Sequence, residues 1–356
     1  MTTESKPHIQ WDWGTAYDLF ASLHVLHHSE RFGLRGSWAA GVRSRLTAAQ
    51  RTVLEDAQKI FFTSPIAWVA SLPEPKDATT VLWALQQISP ADRIPTLASR
   101  RDVSPQLLER LKDVSMRAAW DQSDLNALQS STRSNGGSTS SDDLIKQLTW
   151  WSHAEDFGES YLSALRAYVA VFFAEEERRI TPHLQNALAQ AQELASRLDF
   201  SHLMVELSQG VKIAAFEGAD AVTFVPSYWT TPLVMYDSTA EKHWVVLFGA
   251  RPKEMGLVPG GVVPDAMLRA LKALSDPTRL LILHYLADKP QTPSQLARRL
   301  RLRPPTVIHH LNTLRLAGLV YISLEDEEEK CYTVRESTIG DTYKALRKFL
   351  AIGDEE

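Results

Sequence analysis

Leu274-Ser275-Asp276-Pro277-Thr278-Arg279 and, further on, Thr306-Val307-Ile308-His309-His310-Leu311 are the stretches on which the reading of this chain turns. Asp276-Pro277 joins a capping acid to a proline at the first helical position, where its missing N–H costs nothing. Leu280, Ile282, Leu283 and Leu286 then supply a core face. A second start at Thr292-Pro293 opens a short helix holding Leu296 and Leu300, and after Arg301-Leu302-Arg303 a third helix begins at Pro304-Pro305. Turned at about 100° per residue, that helix puts Val307, Leu311 and Leu314 on one face. Pro305, His309, Asn312 and Leu316 share the opposite face, with Thr306 and Thr313 on one shoulder and Ile308 and Arg315 on the other.

Gly318 ends this helix, and Leu319 to Ile322 can pair with Cys331 to Val334 as a two-stranded wing. With a further helix from Asp265 to Leu274 in front, the segment 264–356 reads as a winged helix-turn-helix. His, Asn, Thr and Arg suit a major groove, because they donate to or accept from base edges and phosphates. The predicted DNA-contacting set is Arg298, Arg299, Arg301, Arg303, Pro305, Thr306, His309, His310, Asn312, Thr313 and Arg315. Within it His309 and Asn312 are the base readers, while His310, near the flank, is read either as a contact or as structural.

The net charge of -5 over 356 residues argues, as a chain average, against nucleic acid. The local field is different. Lys289 to Leu324 contains no Asp or Glu and holds Arg298, Arg299, Arg301, Arg303 and Arg315. Glu325 to Glu329, at the wing tip, is acidic and should be repelled by phosphate, leaving affinity to the helix and the arginines before it.

These residues resemble the arsenic-repressor (ArsR) family of winged-helix transcription regulators. The resemblance rests on Leu274 to Leu280, Ser294 to Ala297, Thr306-Val307 with His309-His310-Leu311, and Leu314-Arg315 with Ala317-Gly318-Leu319-Val320, and covers about the last quarter of the chain. It implies a dimer whose contact is made by terminal helices, here Ala266 to Leu274 and Thr338 to Leu350. It departs from the family at Ile308, where a small polar residue is usual, and at Arg303, Pro304 and Pro305. The family's cysteine pairs and Asp/His pairs for metal sensing are missing, since Gln295 to Arg299 has no thiol and Asp341 lacks its histidine. Pro226 to Pro232 is similar to a segment of long ArsR-like regulators that carry an extra N-terminal domain of unknown function.

Outward from this segment, the chain predicts a mainly helical protein with small antiparallel β. An amphipathic helix is expected from Thr15 to His28, a second behind a Thr47/Gln50 capping box, and others after Asp77 and Ser104-Pro105. Residues 1–128 are thus an N-terminal helical region. Gln129 to Asp143, a Ser/Thr/Gly/Asn tract, reads as a linker or loop. Residues 144–260 read as helices followed by four short strands, 211–216, 221–225, 233–236 and 243–248, in an antiparallel meander. This region either stands alone or packs with 1–128 as one effector and dimerisation domain.

Ten tryptophans precede the winged helix, so the bundle is a candidate for an apolar effector pocket. His24, His27 and His28 share a helical face without a strong further ligand, and are read as a solvated or partly buried face rather than a metal site. Glu175 to Arg179 reads as an exposed charge run. No phosphate loop, nucleophile elbow, zinc-protease helix or carboxylate pair is present, so no enzyme activity, cofactor or metal is expected. One cysteine, Cys331, no signal-like N-terminus and no long apolar run point to the cytoplasm and away from membranes.

The expected partners are double-stranded DNA, a second copy of the chain and a small-molecule effector. The expected function is a transcriptional regulator, a repressor, on a pseudo-palindromic operator. The alternatives are a winged-helix scaffold for protein partners and an enzyme fused to a regulatory winged helix.

Overall fold

The computed structural model describes residues 7–350 apart from 33, 35, 62–64, 99–103, 135–139, 209–211, 214–215, 217, 253–254, 256–263 and 326–328. Strand β1 (His8–Trp11) leads into α1 (Thr15–His27). Almost all of α1 from Thr15 to Leu26 is buried, so it is a central helix and not the amphipathic surface helix its leucines suggest. Ser22, buried in its middle, is satisfied inside. Ser22 Oγ donates to the Leu19 carbonyl at 2.9 Å and lies 2.9 Å from the Tyr168 hydroxyl.

Around α1 stand α2 (Gly36–Arg43), α3 (Ala48–Ile60), α4 (Ile66–Ala70), α5 (Ala78–Gln87), α6 (Pro90–Ala98) and α7 (Pro105–Arg117). The predicted caps hold. Thr47 and Gln50 form a reciprocal capping box, Asp77 accepts from the Thr80 N–H at 2.7 Å, and Ser104 accepts from the Leu107 N–H at 3.2 Å. Each cap pairs backbone donors that the first helical turn leaves over.

Helices α8 (Gln122–Ser134) and α9 (Ser141–Ser152) enter the Ser/Gly-rich tract from both sides, and Ser140 caps α9. Of that tract only 135–139 lies outside the described residues. Helix α10 (Ala154–Tyr168) crosses the start of α6 at Gly158, where a Cβ would stand 2.0 Å from the Pro90 carbonyl oxygen. It continues through a π-helical stretch, Val169–Phe173, into α11 (Ala174–Ala195), and α12 (Phe200–Leu207) follows. Segments on either side of the tract, from Ala16 to Leu128 and from Leu144 to Ala250, contribute to one hydrophobic core.

The predicted antiparallel meander is not what forms. Strands β3 (Ala221–Ser227) and β5 (His243–Gly249) pair in parallel, β1 adds in parallel to β3, and β4 (Met235–Ala240) pairs antiparallel to the far side of β5. The order is therefore β1-β3-β5-β4. The reason lies in burial on both faces. Val225, Val245 and Leu247 join the large helical core, while Val222, Phe224, Val246 and Phe248 join a second core with Leu203, Leu207 and Phe216. Central strands covered on both sides favour parallel pairing. Of the first expected strand, 211–216, the described pair β2 (Lys212–Ile213) joins a different sheet, and 211, 214 and 215 lie outside the described residues.

The C-terminal unit has its own core. It comprises α13 (Asp265–Leu274), α14 (Pro277–Asp288), α15 (Pro293–Leu300), α16 (Pro304–Leu316), the wing strands β6 (Val320–Glu325) and β7 (Glu329–Val334), and α17 (Glu336–Phe349). The mainly helical class and the winged helix with its antiparallel wing are as the sequence predicts. Leu280 is a correction: it is 48% exposed, and Ile282, Leu283 and Leu286 carry the core face of α14. Strand β2 pairs in parallel with β6, so the N-terminal body adds a third strand to the wing. Among the described residues no helix is long and apolar enough to cross a membrane.

Candidate nucleic-acid interface

The helix-turn-helix is held by the residues of its opening motif. Asp276 caps α14, its Oδ1 accepting from the Arg279 N–H at 2.9 Å, and that bond holds its carboxyl below the usual range. Arg279 reaches the other way, Nε donating to the Ala273 carbonyl and Nη2 to the Lys272 carbonyl, both at 2.7 Å. One side chain thus satisfies two carbonyls left over at the end of α13. Thr292 and Gln295 form a capping box on α15. Arg301 then takes the left-handed conformation at φ 55°, and the Leu302 N–H donates back to the Ala297 carbonyl at 3.0 Å, which turns the chain into α16.

Helix α16 buries Val307, Leu311 and Leu314. On the opposite side Arg303, Pro305, Thr306, His309 and Asn312 are exposed, and Arg298, Arg299 and Arg301 are exposed beside them. Arg299 also lies over the Tyr285 ring at 5.2 Å, which fixes its stem while leaving charge at the surface. These eight predicted residues form one basic, hydrogen-bonding surface. They offer cations to phosphates and His and Asn edges to bases, a division that suits a duplex.

Three other predicted residues are less exposed. His310 is half-buried, with Nδ1 3.9 Å from Asp276 Oδ1 and no hydrogen bond, and burial lowers its pKa despite that carboxylate. Thr313 donates its hydroxyl to the His309 carbonyl at 3.1 Å. Arg315 is largely covered, burial depressing its pKa, with Tyr332 of the wing as its electrostatic partner.

Ile308, placed on a shoulder by the sequence but left out of the predicted contact set, is 42% exposed on α16. An exposed apolar side chain there can meet a thymine methyl. The signal was its helical phase, a shoulder position and not a core one. The wing is longer than predicted, with Val320 opposite Val334 and Glu325 opposite Glu329, and the acidic residues 326–328 lie outside the described residues.

The remaining candidates resolve into packing. His27 Nδ1 lies 2.8 Å from the Leu23 carbonyl, and His24 stacks on His28 at 4.3 Å. Among the described residues no group of three or more His, Cys, Asp or Glu could hold a metal. In the charge run, Glu177 is not simply solvated: it accepts from the Ala78 N–H at 2.9 Å, and Glu176, buried, pairs with Arg179 at 2.5 Å. Trp229 is fully buried, stacked on Trp38 at 5.6 Å and edge-on to Phe172 at 5.8 Å.

Comparison with known proteins points to the same segment. A model of the family described as bacterial regulatory protein, arsR family, matches residues 276–321. The chain is similar to the transcriptional repressor SdpR of Bacillus subtilis (strain 168), with 28% identity over 90 residues, 25% of this chain and 99% of that protein. Among solved structures it is similar to an ArsR-like transcriptional regulator from Rhodococcus sp. RHA1, with 31% identity over 24% of this chain and 80% of the other, at a TM-score of 0.23. It is also similar to HlyU from Vibrio cholerae N16961, with 27% identity over 24% and 92% of the two chains, at a TM-score of 0.20. From the cap of α14 to the first wing strand, residues 276–321, this chain carries an ArsR-family DNA-binding helix-turn-helix domain, the module of a transcriptional regulator.

Proposed function

We infer that the protein is a cytoplasmic, homodimeric repressor that binds a pseudo-palindromic operator through α16 and is released or tightened by a small-molecule effector. The observation that carries this reading is the exposed face of Thr306, His309 and Asn312, with Arg301 and Arg303 in the turn before it, on a helix whose other face is buried. A dimer would set two such helices in successive major grooves, about one helical turn or a multiple apart. Ile339, Tyr343 and Leu350 of the α17 region leave apolar surface exposed on a single chain, and supply the natural contact for a second copy.

In this reading residues 1–128 and 144–260 act together as the effector and dimerisation domain, and the protein binds rather than catalyses. An effector acts by preferring one of two dimer geometries with different spacing between the α16 helices. The scaffold alternative gains no support from a groove-facing surface made of arginine, histidine and asparagine. The test is retention of labelled duplex by the full chain across a salt series. Steep salt dependence together with preference for one sequence supports the reading, and retention that is absent even at low salt contradicts it.

A further inference from the structure

The surface between the N-terminal body and the winged helix holds a cleft of about 730 Å³. That is within the range of small-molecule sites. Pro232 and Met255 close it from the body, Met267 and Leu316 from the winged helix, so an apolar ligand body would touch both. Among the described residues its lining is mainly cationic, with Arg251, Arg269, Arg335, Lys344 and Lys348 beside Glu206 and Asp341.

Lys344 and Lys348 stand one turn apart on α17, both exposed, and neither makes an ion pair among the described residues. Arg335 lies over the Tyr321 ring at 5.2 Å, with its Nε buried and without a hydrogen-bond partner. An anion bound in a cleft lined by several cations relieves their mutual repulsion. Arg251, on the opposite wall, is buried and anchored by donating Nη2 to the Thr231 carbonyl at 3.1 Å.

We propose that this cleft is the effector site of the regulator and takes an organic anion, a single carboxylate, sulfonate or phosphate group on an apolar body. The inference rests on the reading of the chain as an effector-controlled regulator, and it locates the control away from the tryptophan-rich bundle. The link to DNA is short. Leu316, Ala317 and Gly318, where α16 ends, form part of the wall, as do Ala266, Met267 and Ala270 of α13. A ligand spanning from Pro232 to Leu316 fixes the angle of α16 relative to the body, and the pairing of β2 with β6 is the second point at which that angle is set.

The test uses the full-length protein and 8-anilinonaphthalene-1-sulfonate, an apolar body with one sulfonate, followed by its fluorescence. Its neutral counterpart, N-phenyl-1-naphthylamine, serves as the control. The expected result is one saturable sulfonate site per chain, weakened at least tenfold in Lys344→Gln/Lys348→Gln and abolished in Ala266→Trp, which fills the rim from an exposed position. The neutral probe should bind the parent and the lysine variant alike. Equal sulfonate affinity in the parent and both variants, with circular dichroism unchanged, overturns the site, as does the absence of saturable binding.

Probe binding is read without DNA, so it stands or falls separately from operator binding. Arg301→Gln/Arg303→Gln should leave it unchanged. The regulatory part is read as a change of threefold or more in duplex affinity on saturation with the sulfonate. An unchanged affinity in a parent that does bind duplex overturns that part, whereas a parent that binds no duplex indicts the DNA reading instead.

Discussion

Arg279 Nε donates to the carbonyl of Ala273 at 2.7 Å, tying the start of α14 to the end of α13. The same guanidinium reaches Lys272, so the opening motif of the domain is a clamp between two helices. Arg279→Gln should leave those carbonyls unpaired and lower the stability of the winged helix by about 2 kcal/mol, in the range for charge-assisted bonds. Urea unfolding followed by far-ultraviolet circular dichroism checks this, and an unchanged midpoint would remove the clamp from the account.

The exposed and buried residues of α16 should separate in binding experiments. Arg301→Gln/Arg303→Gln lowers affinity for all duplexes and reduces the salt slope by about one unit for each phosphate that is no longer neutralised. Asn312→Ala or His309→Ala costs about 1–3 kcal/mol on the preferred sequence with little effect on others. His310→Ala, by contrast, should spare sequence preference, because its ring faces Asp276. Fluorescence anisotropy with matched and scrambled duplexes distinguishes these outcomes.

Asp18 gives the body a pH signature. It accepts from Ser227 Oγ at 2.7 Å and from the backbone N–H groups of Trp229 and Tyr228 at 2.8 and 3.2 Å, yet burial pushes its carboxyl up to about 6. A carboxyl raised on folding binds its proton more tightly in the native state. Its contribution is fully present below the ordinary carboxylate range and is lost as pH rises through about 6. Relative to Asp18→Asn, the parent should therefore gain about 2 kcal/mol between pH 7 and pH 4. Parallel unfolding curves for the two proteins at pH 4.5, 5.5 and 7 would contradict this.

The segment 264–356 retains its own core but is without β2. It should bind duplex more weakly than the full chain while keeping the same sequence order. A gel shift at low salt tests this, and complete loss of binding would make the body part of the DNA site.

The helix starts were legible because a cap is a local device: Thr47, Asp77, Ser104, Asp276 and Thr292 each satisfy donors within their own first turn. The face of α16 was legible for the same reason, one helical period sorting Val307 from His309. Strand partners were not. Val222 and Phe224 alternate with Val225 as a half-buried strand would, and only the second core on the far face shows that both sides are covered. The connection through Tyr228 and Trp229, held by Asp18 from a distant helix, carries the chain past the hairpin that local sequence suggests. The basic cleft was hidden because Arg251 and Lys344 meet only when two units pack.

Operator recognition is read out by selecting bound duplexes from a random pool with the full-length protein. The expected result is enrichment of a pseudo-palindrome with half-sites about one helical turn or a multiple apart, and loss of that enrichment in Asn312→Ala. A pool that stays random, or the same enrichment with and without Asn312, would contradict it.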